Sequence, residues 1–303
     1  MSLIGRRPIS PNAPIQTMAP VTWTTSRFAL DLATPKIMGI VNLTPDSFSD
    51  GGRHASVDAA LRHARQLLDE GAHILDVGAE STRPGAQPVS AQEEWSRLEP
   101  VLSELVTWGV PISVDTYKPG TMQRALDLGV DVINDVWALR WADTADGLRG
   151  LDVIAAHPQC GVCLMHMHGD PATMQISPMT GDVVADVRAF LSDRCRKLTD
   201  RGVASSRIVV DCGTGFGKTV EQNFELLHRT PDWSAGSHVL AGWSRKSSIG
   251  AVTGREVHDR VTGSVVAAVL SVERGARVVR VHDVAATQDG LAVWAAARGI
   301  ENA

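Results

Sequence analysis

The sequence is poor in aromatic residues and lacks long apolar runs. Phe, Trp and Tyr together make up 5% of its 303 residues, and there is a single Tyr. No apolar run reaches the about 18 residues of a membrane span. Residues 1–20 lack the apolar stretch of a secretory signal, and their content of Pro, Ser and Asn predicts a mobile N-terminal extension. We therefore expect a cytoplasmic protein with no membrane partner.

Excess positive charge is also absent, and cysteines are few. The net charge of −5 and the pI near 6.0 provide no general attraction for nucleic acid or acidic lipids. Of the four cysteines, Cys160 and Cys163 form a C-x-x-C motif. Cys163 begins an apolar, strand-like run instead of opening a helix, so we expect reduced, buried thiols and no redox or zinc site.

The sequence does contain a repeated order of apolar run, polar loop and helical pattern. The run IMGIV at 37–41 does not alternate with polar residues, which is typical of a strand covered on both faces. A polar loop follows from Asn42, and a helical pattern begins near Val57. The predicted strands lie at 37–41, 73–77, 112–114, 131–133, 162–165, 207–210, 239–241 and 278–281.

Helical patterns lie between these runs. Ser90 and Glu93 predict a capping box at the start of the second helix. The predicted helices lie at 57–70, 91–108, 119–128, within 143–157, and at 182–201, 220–228, 257–274 and 285–297, with another opening near Lys246. Eight β/α units in about 265 residues predict an α/β fold, a (β/α)8 TIM barrel, and not an open doubly wound sheet. We expect a single domain over 21–303 with a small hairpin at 21–35.

Polar residues follow the predicted strands almost without exception. In such a barrel the site lies at the carboxyl ends of the strands. A single Asp or Asn there is often a turn former or a helix cap, but caps alone do not explain a complete rim. The rim residues are Asn42, Thr82, Arg83, Asp115, Asn134, Asp135, His166, Asp211, Ser244, Lys246, Arg280 and His282.

These residues divide into two kinds of chemistry. Asp115, Asn134 and Asp211 suit a flat heterocycle with several N–H donors, because carboxylates accept paired hydrogen bonds. The others suit an anion, and an amide oxygen suits a hard cation such as Mg²⁺. This second group is Asn42, Lys246, Arg280 and His282.

Two motifs are misleading. The segment CGTGFGKT at 212–219 resembles a phosphate-binding loop, but Cys212 stands where the first glycine belongs. The HMH segment at 166–168 offers two imidazoles, but no third ligand follows at a usual spacing for a metal site.

Eight segments together resemble the dihydropteroate synthases, in order, over roughly residues 36–290. They are IMGIVNLTPDSFSDGG, DVGAESTRPGA, SVDT, VINDV, CLMHMHGDPATMQ, GFGKTVEQN, GWSRKSSIG and RVHDV. The resemblance implies a pterin-binding barrel enzyme of folate biosynthesis. Such an enzyme condenses 6-hydroxymethyl-7,8-dihydropterin diphosphate with p-aminobenzoate and releases pyrophosphate.

The resemblance also implies roles for individual residues. The pterin would be held by Asp115, Asn134, Asp211 and Lys246. The diphosphate would be held by Thr82, Arg280 and His282, with Mg²⁺ on Asn42. The aminobenzoate pocket would be formed by Phe48, Phe216 and Ser247, near Arg83, and Met165 belongs to the substrate-binding set. The residues expected to be catalytic are Arg83, Asp211, Lys246 and Arg280.

The chain departs from the family pattern at Ala79, Trp137, Cys212 and Thr214, and Ser248 replaces a larger residue after SRKS. These departures leave open a catalytically weak or inactive paralogue that keeps the ligand pocket. A pterin-dependent methyltransferase of the corrinoid kind is a second alternative, but it should not need the TPDSF, STRPG and SRKS segments.

The resemblance suggests a homodimer formed through the late helices. Residues 263–272 are apolar nearly all round, which either such pairing or burial between two neighbouring helices would explain.

Overall fold

The computed structural model describes residues 21–43, 52–81, 87–142, 147–170, 174 and 176–300, and for residues 52–55 it describes the backbone alone. The predicted N-terminal extension at 1–20 lies outside the described residues. So do three of the expected site residues, Phe48, Thr82 and Arg83.

The described residues form ten β-strands and ten α-helices. The strands are β1 Thr22–Thr24, β2 Ala29–Asp31, β3 Lys36–Asn42, β4 Ile74–Gly78, β5 Ile112–Asp115, β6 Val132–Asp135, β7 Gly161–Met165, β8 Ile208–Asp211, β9 His238–Ala241 and β10 Ala276–Val281. The helices are α1 Gly52–Asp69, α2 Ala91–Leu105, α3 Pro119–Leu128, α4 Gly150–Ala156, α5 Val183–Thr199, α6 Val220–His228, α7 Thr230–Ser234, α8 Ser247–Thr253, α9 Val261–Glu273 and α10 Val284–Ala297. Within the described part of the chain, none of these helices combines the length and the apolar character that a membrane span requires.

The strands β3 to β10 close into a barrel of eight parallel strands, in the order β10-β3-β4-β5-β6-β7-β8-β9. Each of them is followed along the chain by at least one helix. Their apolar runs are explained by cover on both faces, and every residue of β4 and β7 is buried. The predicted (β/α)8 barrel is therefore confirmed.

The expected hairpin is formed by β1 and β2, and it closes the amino-terminal end of the barrel. Trp23 is fully buried against the first residues of several barrel strands, and its indole N–H donates to the carbonyl of Arg207 at 3.0 Å. Arg27 binds the buried carboxylate of Asp131, with 3.0 Å from Nε to Oδ1. The same carboxylate accepts from the backbone N–H of Ile112 at 2.9 Å. The hairpin is thus tied to the end of the barrel that faces away from the site.

Most predicted helix bounds are close to those observed, but α1 begins at Gly52, before the predicted start at Val57, and α2 ends at Leu105, before the predicted end at residue 108. The helices at 119–128 and 220–228 have the predicted bounds. The helix expected at 257–274 begins only at Val261, because a short 3₁₀ helix, Val257–Asp259, precedes it. The helix Thr230–Ser234 was not predicted. The capping box at Ser90 forms only in part: Ser90 Oγ accepts from Glu93 N at 3.1 Å, while the Glu93 carboxylate binds Arg97.

Candidate active site

The carboxyl ends of four neighbouring strands, β3 to β6, bring expected binding residues to one level of the barrel. The ladder pairs Asn42 with Gly78, Gly78 with Asp115, and Asp115 with Asn134. A Cβ added at Gly78 would lie in van der Waals contact with the Cβ of Asp115, at 3.4 Å. Asp211, the last residue of β8, ends its strand on the same rim.

A network of charged and polar groups fills the barrel beneath this level. Arg280 of β10 donates from Nε to Asp76 Oδ2 at 2.5 Å and from Nη2 to Asp115 Oδ2 at 2.8 Å. Asp76 is fully buried and also accepts from Ser113 Oγ at 2.5 Å and from Asn134 Nδ2 at 3.2 Å. One carboxylate therefore fixes the directions of both the Arg280 guanidinium and the Asn134 amide.

Burial and charge set the protonation of this network. Burial raises the pKa of Asp115 to about 7, Arg280 opposes that shift, and the neighbouring Asp76 adds to it. Burial opposes the charge of Arg280, but Asp76 and Asp115 outweigh it and raise the pKa of the guanidinium above its ordinary value. The site thus holds a permanent cation beside a carboxyl group that titrates near neutral pH.

A second charged pair lies across the barrel mouth. Burial raises the pKa of Asp211, while the N–H of Gly213, which donates to Asp211 Oδ1 at 2.7 Å, and the ammonium of Lys246 oppose the shift. Burial lowers the pKa of Lys246 to about 8 against the attraction of Asp211. The Lys246 ammonium lies 4.4 Å from the ring centroid of Phe216, which is cation–π distance. Phe216 and Lys246, expected in adjoining pockets, are therefore in contact.

The turn after β8 is held in place by a lysine whose role was not predicted. Lys218 is buried, and its ammonium donates to three backbone carbonyls, those of His166, Gly213 and Phe216, at 3.0–3.3 Å. Gly213 and Gly217 have left-handed backbones, and a Cβ on either would collide with a carbonyl of the segment after β7. The G-x-G-x-G-K pattern therefore builds a compact turn that positions Phe216. Its lysine is fully occupied by the protein itself.

The remaining expected residues lie at the ends of β9 and β10. His282 follows β10, its Nδ1 lies 3.0 Å from Ser244 Oγ, and its backbone N–H donates to the same hydroxyl at 3.1 Å. Ser247 is exposed and begins α8, and Lys246 immediately precedes that helix. Met165 is buried in an apolar cluster with Phe216.

The sequence from residue 38 to residue 282 matches the model of the family described as pterin binding enzyme. The dihydropteroate synthase of Neisseria meningitidis serogroup B is 51% identical over 286 residues, which cover 92% of this chain and 98% of that protein. The dihydropteroate synthase of Escherichia coli K12 is 40% identical over 267 residues, covering 88% of this chain and 92% of that protein. The chain belongs to the dihydropteroate synthase family. It is accordingly an enzyme of the transferase class.

Solved dihydropteroate synthases have the same fold. The enzyme of Burkholderia cenocepacia, complexed with 7,8-dihydropteroate, superimposes with a TM-score of 0.81 at 46% identity and covers 92% of this chain and 97% of its own. The enzyme of Xanthomonas albilineans with 4-aminobenzoic acid superimposes with a TM-score of 0.83 at 46% identity and covers 91% of this chain and 98% of its own. The eight-stranded barrel and the family resemblance read from the sequence are both confirmed.

Asn42 is the only metal ligand expected from the sequence. Its side chain makes no hydrogen bond to another described residue, and it stands at the rim level of Asp115 and Asn134. No group of three or more His, Cys, Asp or Glu side chains arranged for a metal occurs in the part of the chain that the structure describes. One amide oxygen fits Mg²⁺ only where substrate oxygens and water complete the shell, which is the usual arrangement for Mg²⁺ with phosphates.

His166 of the HMH segment and the cysteines of the C-x-x-C motif occupy buried structural positions. His166 is buried, and its ring lies edge-on to that of Phe190 with 4.9 Å between the ring centroids. Burial lowers the pKa of His166 to about 2, so its imidazole is neutral. Cys160 and Cys163 are free, buried thiols. Arg207 donates to the carbonyl of Cys160 at 2.8 Å and contacts its sulfur at 3.2 Å.

Sequence reasoning missed two features of the rim. Asp76 lies beneath the rim inside an apolar run, where the sequence predicts only a strand. The signal that could reveal it is a lone carboxylate in a buried segment, which requires a partner. Trp137, which the sequence marks only as a departure from the family pattern, joins an aromatic cluster. Its ring centroid lies 6.2 Å from that of Tyr117 and 5.5 Å from that of Trp141. Neighbouring positions in the sequence do not reveal that cluster, because Tyr117 comes from the loop after a different strand.

Proposed function

We propose that this chain joins 6-hydroxymethyl-7,8-dihydropterin diphosphate to p-aminobenzoate and releases pyrophosphate. The observation that carries the proposal is the charge arrangement at one rim: Asp115 with Arg280 on one side, and Asp211 with Lys246 on the other. A ring that offers several N–H donors and carries a diphosphate matches this combination of buried acceptors and cations.

The pterin half of the substrate would lie among Asp115, Asn134 and Asp211. Carboxylates accept hydrogen bonds from an amino group and an adjacent ring N–H together, and the ammonium of Lys246 donates to the ring carbonyl or nitrogen. Met165 would pack against the ring from the apolar side. The partial neutralisation of Asp115 near neutral pH makes its ionisation part of substrate binding.

The diphosphate half would lie toward Arg280 and His282, with Thr82 as a further donor. Mg²⁺ bound to Asn42 would supply additional positive charge that offsets the developing charge of the leaving group. Arg280 is already oriented by two carboxylates, so it stabilises that charge without first reorganising.

The aminobenzoate would enter above the pterin, between Phe216 and Ser247, with Phe48 and Arg83 completing the pocket. The bond from the methylene carbon to the diphosphate oxygen breaks, and pyrophosphate leaves with the electron pair. The electron-rich pterin stabilises the resulting positive charge on the methylene carbon. The aniline nitrogen then forms the new C–N bond and loses a proton to solvent. The catalytic set is Arg83, Asp211, Lys246 and Arg280, and no side-chain nucleophile is required.

The catalytically weak alternative rests on the departures from the family pattern. Cys212 and Thr214 are buried and contact each other at 3.8 Å in the turn after β8, and buried Ala79 accepts from Arg97 through its carbonyl at 3.0 Å. The side chains of Cys212 and Thr214 pack within the supporting structure, and Ala79 is buried there, which favours the active enzyme. The dihydropteroate synthases reported above favour it over a pterin-dependent methyltransferase.

We also propose a homodimer through α9 and α10, which pack against each other. Val266 and Leu270 of α9 are 52% and 43% exposed, and Val293 of α10 is 71% exposed. An apolar face of this kind is typical of a surface covered by a partner. Sedimentation should give a dimer at micromolar concentration, and Leu270→Glu should shift it toward monomer. A monomer in the unmodified protein would reject the dimer.

The test of the reaction is pyrophosphate release with both substrates and Mg²⁺. Controls omit p-aminobenzoate, omit Mg²⁺, or use Asp211→Ala. We expect release that depends on both substrates and is lost in the variant. Binding of both substrates without pyrophosphate release would identify the weak paralogue instead.

A further inference from the structure

Asn223 of α6 is a buried amide that joins two separate segments of the rim. It is 2% exposed. Its Oδ1 accepts from the backbone N–H of Gly215 at 2.9 Å, and its Nδ2 donates to Ser248 Oγ at 2.9 Å. The first bond reaches the turn after β8, and the second reaches the beginning of α8.

Each bonded residue is the direct neighbour of an expected aminobenzoate residue. Gly215 precedes Phe216, and Ser248 follows Ser247. Gly215 also lies against Lys246, since a Cβ on it would be 3.5 Å from Lys246 Cδ. Asn223 therefore stands behind both walls of the proposed aminobenzoate pocket, and its two bonds fix their separation.

The local fold of α6 does not require this amide. The helix already begins with a reciprocal capping box of Thr219 and Gln222, and Leu226 and Leu227 bury its apolar face. Asn is a poor helix former, and a buried amide is unfavourable unless its hydrogen bonds are satisfied. An apolar residue would serve the packing at least as well, so the specific effect of Asn223 is the link between the two segments.

Ser248 makes this link possible. The position after SRKS carries a larger residue in the family pattern, and a larger apolar side chain could not accept the hydrogen bond from Asn223. Ser248 is 1% exposed, so its hydroxyl faces the protein interior and not solvent.

We propose that Asn223, acting through Gly215 and Ser248, is a positioning residue for the aminobenzoate half of the site and sets the distance between Phe216 and Ser247. This inference rests on the proposed function, because it takes the aminobenzoate to lie between those two residues. The pterin half should change less than the aminobenzoate half. Asp115 and Asn134 belong to other strands, and Asp211 and Lys246 adjoin the linked segments but form no hydrogen bond with Asn223.

The test compares the Michaelis constants of the two substrates in three variants. Asn223→Leu keeps a similar volume and removes both bonds, so KM for p-aminobenzoate should rise by about tenfold, while KM for the pterin diphosphate stays within about twofold. Ser248→Ala removes one bond and should give a smaller rise of the same kind. Asn223→Asp can accept from both Gly215 N–H and Ser248 O–H, and should restore most of the lost affinity.

Thr230→Val serves as the matched control for a merely structural effect. Thr230 is also buried, and its hydroxyl donates to the carbonyls of Leu226 and Leu227 at 3.2 Å and 2.9 Å. The Thr230→Val variant should have lower thermal stability, with the KM values of both substrates unchanged. If Asn223→Leu raises both KM values equally, or behaves like Thr230→Val, the positioning role is wrong even though the unmodified enzyme turns over.

Calorimetry separates this failure from a failure of the proposed function. Binding of p-aminobenzoate is measured in the presence of pterin and pyrophosphate, so turnover is not needed. A chain that binds p-aminobenzoate without turnover still tests Asn223 through the affinity of its variants. A chain that neither turns over nor binds p-aminobenzoate overturns both the function and the positioning role.

Discussion

Replacement of Asp76 tests the charge network under the rim most directly. Asp76→Ala removes the acceptor of Ser113, Asn134 and Arg280 in the barrel interior. Each buried donor left unsatisfied costs about 1–3 kcal/mol. Breaking a buried ion pair costs about 3–5 kcal/mol, but Arg280 keeps Asp115 through Nη2. We therefore expect the free energy of unfolding to fall by about 4–6 kcal/mol.

Asp76→Asn separates the charge from the hydrogen bonds. The amide oxygen can still accept from Asn134 and Arg280, and the amide N–H₂ can donate to the Ser113 hydroxyl. Only the charge assistance is lost, which is about 1–2 kcal/mol, because a charged hydrogen bond contributes about 1.5–3 kcal/mol and a neutral one about 0.5–1.5 kcal/mol. The Ala variant should thus be less stable than the Asn variant by at least about 2 kcal/mol.

The assay is urea unfolding at about pH 8.5, which lies above the pKa of Asp115 of about 7. Unfolding is monitored with two spectroscopic probes, and both must report the same transition. Midpoints are compared only where the slope with urea is unchanged, because a changed slope indicates an altered unfolded state. Equal losses of stability in the two variants would refute the reasoning, since the hydrogen bonds would then contribute nothing beyond the charge.

A pH series provides an independent check. The pKa of Asp115 is 3.8 in its ordinary state and about 7 in the fold, so the folded protein holds a proton between these values that the unfolded chain releases. Stability from this group therefore falls as pH rises through that window and is level above about 7. Asp76 is one cause of the raised pKa, so in Asp76→Asn the decline should end at a lower pH. An unchanged window would show that Asp76 does not act on Asp115.

Three more tests concern the pterin half, the ammonium and the glycine turn. Asp211→Ala should weaken pterin diphosphate binding in calorimetry by at least about tenfold, because charged hydrogen bonds of about 1.5–3 kcal/mol are lost, and unchanged binding by a folded variant rejects the role. Burial lowers the pKa of Lys246 to about 8, so kcat/KM for the pterin diphosphate should fall above about pH 8 as this ammonium loses its proton. A pH profile that is flat up to about pH 10 would contradict this role. Gly213→Ala should lower the free energy of unfolding by about 2–5 kcal/mol, because the added Cβ collides with the carbonyl of His166 in a left-handed backbone. Gly109→Ala, with the same backbone conformation and open space around it, should lose only about 1 kcal/mol, and equal losses would contradict the collision.

The barrel was predictable because its signals are local. Each strand is a short apolar run, and each run is followed by a polar residue and then a helical pattern, so the alternation can be counted along the chain. Five of the eight barrel strands end one or two residues later than predicted, and for two of them the physical reason is visible. Asp115 and Asp211 continue the ladder hydrogen bonds although their side chains are polar, because those side chains find partners inside the barrel mouth.

The rim residues were predictable from topology, but their pairing was not. Parallel strands in a barrel place their carboxyl ends together, so Asp115, Asn134 and Asp211 could be assigned to one site before any contact was known. Which cation faces which carboxylate depends on side-chain directions across the barrel. Arg280 was assigned to the diphosphate from the family pattern. That role stays a prediction, and its two carboxylate partners add a constraint that the pattern does not contain.

This site depends on buried polar residues that lie inside apolar segments. A search for hydrophobic periodicity overlooks such residues. Asp76 interrupts a strand, Ser113 interrupts the next strand, and Asn223 occupies a helix that a better helix former would suit. Leaving such a group unsatisfied costs about 1–3 kcal/mol, a substantial part of the stability of a domain, so each of them requires a partner. The partner cannot be read from the sequence, because Asp76 and Arg280 are 204 positions apart. Its existence can be inferred, however, so an isolated Asp or Asn in a buried strand or helix of a barrel indicates a residue that orients the rim above it.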